Sequence, residues 1–79
     1  MANRSNQPQV RNPLLGLPAM AQLQALPADQ RAPLAALLRQ VRLDAHQRAD
    51  KAWRQRKGPM AAYWRAVAVY AGHTARALR

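Results

Sequence analysis

Ala52–Gly72, AWRQRKGPMAAYWRAVAVYAG, is the stretch whose reading decides the fold. Gly58 suits a helix C-terminus that needs positive φ, and Pro59 cannot continue that helix but can open the next. Arg54, Arg56 and Lys57 fall where cations meet the negative end of a helix dipole. The stretch therefore reads as the end of one helix, a hinge and the start of a second. Trp53 and Trp64 flank the hinge, and each ring has much apolar area to bury. They are expected to clamp the two helices together. Stacking on nucleic-acid bases is the alternative use, and it requires exposed rings.

Upstream of the hinge, Leu34, Leu37, Leu38, Val41, Ala45, Ala49 and Ala52 recur at helical spacing and predict one apolar stripe. The helix begins between Ala28 and Pro33, because a proline is comfortable only before the hydrogen-bond ladder starts. Asp29 then serves as cap or first-turn acid. Asp44 with Arg48, and Asp50 with Arg54, stand four apart in the favourable order for ion pairs. Downstream, Met60, Tyr63, Trp64, Val67, Ala71, Thr74 and Leu78 predict the main stripe of the last helix. Ala62, Ala66 and Val69 line its other side, and only Arg65 is charged from Met60 to Ala71. A helix apolar nearly all round is buried on more than one side, so self-association as a homodimer is expected.

Toward the N-terminus the prolines set the boundaries. Pro18 to Leu26 predicts a short helix with Met20, Leu23 and Leu26 facing inward. Leu14 to Leu17 predicts a turn or 3₁₀ piece, preceded by Asn12-Pro13 as a cap and first-turn proline. Residues 1–12 lack periodicity and carry Arg4 and Arg11, as a flexible basic arm would. The expected architecture is all-α. Residues 29–56 and 60–78 form an antiparallel hairpin, residues 18–26 pack across it as a small three-helix bundle, and 13–79 make one domain.

Composition sharpens this reading. A 79-residue chain struggles to bury enough surface alone, and this one has no Phe or Ile and 18 Ala. Alanine favours helix but buries little. Eleven Arg and two Lys face three Asp and no Glu, a formal charge of +10. A GC-rich genome would explain Arg over Lys but not the scarcity of acids. The absence of cysteine excludes disulfides and Cys-ligated metals. The start MANRSNQPQVRNP has no apolar signal-like run, so a soluble cytoplasmic protein is expected. The apolar runs are far too short to span a membrane. Lying on a membrane surface is disfavoured because the last helix needs the same face for its partner helix.

Catalytic chemistry lacks its parts. Ser5 sits in the arm, Thr74 in the last helix, there is no Cys, and only three Asp and no Glu are available. His46 and Asp50 stand four apart, with His73 a distant third, which is a spacing common by chance. No catalytic residue, metal or cofactor is assigned. Met60 to Tyr63 are poor readers of base edges, which argues against sequence-specific recognition by the helix after the turn. The expected function is a small nucleic-acid-binding accessory protein with little sequence specificity, gripping DNA or RNA by the phosphate backbone. The expected contacts are Arg39, Arg42, Lys51, Arg54, Arg56, Lys57 and Arg65, with Arg4 and Arg11 on the arm. The alternative is a helical adaptor or inhibitor, as in a phage, plasmid or other mobile element, docking on an acidic protein surface or nucleoprotein complex.

Overall fold

The computed structural model describes residues 7–79. They are helical almost throughout: α1 (Pro8–Arg11), a 3₁₀ turn (Pro13–Gly16), α2 (Pro18–Gln24), α3 (Ala28–Arg54) and α4 (Gly58–Ala77). No strand occurs among the described residues. The two long helices pack against each other as a hairpin. None of the described helices is long and apolar enough to cross a membrane.

The hinge sits where expected but is closed by a different residue. Arg56, not Gly58, takes the left-handed conformation, with φ of 58°. The Lys57 N–H donates to Ala52 O at 2.8 Å and the Arg56 N–H to Trp53 O at 3.0 Å. That pair of bonds is a Schellman motif, which satisfies the last carbonyls of α3. Gly58 then begins α4, with Pro59 in its first turn where a missing N–H costs nothing.

The seam between α3 and α4 is made of small side chains. Ala35, Ala45, Ala49 and Ala52 are buried on α3, and Ala61, Ala68, Ala71, Gly72 and Ala75 on α4. Methyl groups let two helix backbones approach closely, since interaxial distance follows the side chains at the contact. The expected stripe is corrected accordingly. Leu34 and Leu38 are half-buried at its flank, but Leu37 is 64% exposed and Val41 43%. The expected core positions Met60 (46%) and Tyr63 (58%) also lie mostly on the surface. Trp64 and Val67 are half-buried, and Leu78 is the largest side chain to be almost fully enclosed.

The N-terminal segment docks on the far end of the hairpin. It is the 3₁₀ turn that contacts both α4 and α2, so the crossing expected of residues 18–26 is made chiefly by residues 13–16. Asn12 does not cap that turn through its side chain. Its buried Nδ2 instead donates to His73 O at 2.8 Å. Gln24 Nε2 adds a 3.2 Å bond to Ala77 O, and Met20 is buried. The first half of the expected basic arm, with Arg4, lies outside the described residues. Its second half holds the α1 turn and the anchor at Asn12.

The molecule is a slab, with extents of 41 × 38 × 16 Å. One layer of helices leaves two broad faces, one on each side of the seam. These faces differ in chemistry.

Candidate nucleic-acid interface

One broad face is built by helical spacing around His46. Arg39, Arg42, Asp50 and Trp53 stand at −7, −4, +4 and +7 from it, and so share its side of α3. The antiparallel α4 supplies Arg65, Val69, Gly72 and Arg76 opposite them. Arg65 fixes the register at the middle. Its Nη2 bonds Asp50 Oδ1 at 2.5 Å and its Nη1 donates to His46 Nδ1 at 2.9 Å. The pair Asp50–Arg65 is half-exposed and replaces the expected Asp50–Arg54 pair. Its net contribution is about 1 kcal/mol or less at such exposure.

Toward the open end of the hairpin, four arginines converge. Arg39, Arg42, Arg76 and Arg79 surround a cavity of about 210 Å³ floored by Gly72 and Ala75. Among the described residues, no Asp or Glu lines it. Gly72 gives Arg42 room: a Cβ at that position would meet Arg42 Cδ at 3.1 Å. Arg76 is steadied by donation from Nη2 to His73 Nδ1 at 3.1 Å. Arg76 and Arg79 also line a neighbouring cavity of about 450 Å³ with Arg11, which extends the basic surface onto the N-terminal segment. Guanidinium groups gathered without Asp or Glu, in a concave setting, focus a positive field and offer planar forks to phosphate oxygens.

The expected contacts therefore divide into two groups. Arg39 and Arg42 join the cleft, with Arg11 beside it. Lys51, Arg54, Arg56 and Lys57 gather at the hinge instead, about 18 Å along α3 from Arg42 at 1.5 Å per residue. Lys51 and Lys57 border a shallow cavity there with Arg48, Met60 and Trp64. Arg65 lies between the groups with its guanidinium already committed to His46 and Asp50. Arg76 and Arg79 are not among the expected contacts, although in the sequence they share one edge of the last helix with Arg65 and could continue a basic strip. They stand 37 residues from Arg39 and Arg42 respectively, and only the antiparallel return of α4 unites them.

The tryptophans part company. Trp64 is half-buried, with the Arg48 guanidinium 5.2 Å from its ring centroid and the Tyr63 ring edge-on at 5.2 Å. Arg48 thus serves an aromatic face rather than the expected pair with Asp44. Trp53 is 70% exposed and clamps nothing. It sits at the hinge end of the basic face, beside an open depression of about 370 Å³ shared with Gly58, Ala61, Ala62 and Arg65.

The opposite broad face is richer in apolar side chains, with Arg48, Lys51 and Lys57 bordering Met60 and Trp64 at its hinge end. Leu37, Val41, Met60 and Tyr63 are exposed there, around half-buried Leu34, Leu38, Trp64 and Val67. Compared with protein families, characterised proteins and solved structures, the chain matches none.

Proposed function

We propose that this protein binds nucleic acid through the phosphate backbone, with little sequence specificity and no catalytic role. The observation that supports this reading most directly is the cleft of Arg39, Arg42, Arg76 and Arg79, which no described Asp or Glu lines. The formal charge of +10 adds long-range attraction for a polyanion. Phosphate contacts by arginine position a strand without reading its bases.

The test is the salt dependence of binding. Four neutralised phosphates on duplex DNA give a log–log slope of about −3.6, so a fourfold rise in salt weakens binding about a hundredfold. Arg39→Gln with Arg42→Gln removes two contacts and makes the slope shallower by about 1.8. Arg54→Gln with Arg56→Gln, at the hinge, changes it less. A flat salt response in anisotropy titrations overturns the proposal.

A second reading concerns the apolar face. Large exposed side chains gathered on one side mark association surfaces. We read it as the seat of a second copy, giving a homodimer. An adaptor role on an acidic protein or nucleoprotein complex competes for the same surface. A stoichiometric complex that survives nuclease treatment distinguishes that outcome.

A further inference from the structure

We infer that the basic face takes single-stranded nucleic acid in preference to duplex, with an unpaired base stacked on Trp53. This inference rests on the phosphate-binding reading and deepens it. Three observations carry it.

First, Trp53 is the most exposed of the large apolar side chains among the described residues, at 70%. A ring with so much apolar area in water forgoes the burial that usually places tryptophan. Its neighbour Trp64, in the same pair of helices, finds both a cation and an aromatic partner. No ring or cation partner engages Trp53 among the described residues.

Second, Trp53 is on the arginine side of the slab. It follows Arg39, Arg42, His46 and Asp50 at helical spacing, and it borders the same depression as Arg65. From Arg42 to Trp53 the helix rises about 17 Å, and from Arg39 about 21 Å. A strand whose phosphates enter the arginine cleft reaches Trp53 within a few nucleotides. That combination of an electropositive cleft and an aromatic platform is how single strands are held without sequence preference.

Third, the space beside the ring suits an inserted base. Gly58, Ala61 and Ala62 provide a floor without bulky side chains, and the depression measures about 370 Å³. Nothing lies within 4 Å of a Cβ placed on Gly58, so the approach is open. A base in a duplex already stacks on its neighbours and presents no free π-face. An unpaired base does, and it gains the stacking that the duplex cannot offer.

The experiment uses the full chain with a labelled 20-nucleotide oligothymidylate and a duplex of the same length. Trp64→Phe leaves Trp53 as the sole tryptophan, so its fluorescence reports on that ring alone. We expect quenching on titration with the single strand and little change with the duplex. Trp53→Ala is expected to weaken single-strand binding about five- to a hundredfold, the range for loss of one stacked base, and to leave duplex binding unchanged. Trp53→Phe should restore part of that loss. Trp53 is mostly exposed, so both variants should keep the wild-type helical circular dichroism.

Equal binding of both forms, with no quenching of Trp53, overturns the preference for single strands while leaving the phosphate reading intact. Binding of neither form at low salt overturns both. Protein-dependent changes in Trp53 emission without nucleic acid would place the ring against a second copy and also overturn the inference.

Discussion

Arg56 holds a conformation that an L-residue enters at a cost of about 1–2 kcal/mol. The Schellman bonds around it repay that cost, but glycine would make the same bonds without it. Arg56→Gly is therefore expected to raise stability by about 1 kcal/mol, and the melting temperature by about 4–8 °C, in a calorimetric scan. A fall would mean that the arginine side chain contributes more than its backbone takes away. The position shows where residue-level reading stops. KGP announces a hinge in any context, since proline ends one helix and glycine permits a turn. Which residue turns left is settled by how α4 must leave to meet α3, and that is a property of two helices. Asp50 teaches the same lesson. Its i+4 partner Arg54 is visible in sequence, yet Arg65 on the other helix takes the carboxylate.

At the scale of elements, the boundaries of both long helices lie within two residues of those expected. Proline placement and helical period are local signals, and they suffice for this. The rotation of each helix about its axis was less legible. A stripe traced through the largest apolar residues passes through Leu37 and Val41, whereas the observed seam runs through Ala35, Ala45, Ala49 and Ala52. Close approach of backbones favoured methyls over leucines, and the leucines were left to the flank and surface. The basic cleft was partly hidden for a related reason. Arg39 and Arg42 are recognisable as a cationic edge, but their union with Arg76 and Arg79 needs the register of the hairpin. The N-terminal segment hangs on few contacts, and among the described residues Asn12 is its only buried polar one. Removing it in Asn12→Ala costs about 1 kcal/mol locally. Hydrogen exchange should then quicken across residues 13–24 while amides of α3 and α4 keep their protection. Loss of protection throughout the hairpin would show instead that the segment and the hairpin fold as one unit.

For the whole molecule, the decisive quantity is how little a slab one helix layer thick can enclose. Among the described residues, Leu78 and Met20 are the only large apolar side chains that are buried, and alanine makes up the rest of that core. Small domains with modest cores gain stability by association. The exposed Leu37, Val41, Met60 and Tyr63 are where that gain is available. Light scattering on the purified, nuclease-treated protein should give twice the 8.8 kDa chain mass. Leu37→Lys is expected to halve it, with a lower and concentration-independent melting temperature. A monomer mass for the unmodified chain would reject the paired state.

The opposition of the two faces has an architectural consequence. Copies joined back to back along the oily side would turn their arginine clefts outward in opposite directions. Such a particle is bivalent: it would crosslink separate strands, or fold one long strand back on itself, where a lone copy merely coats it.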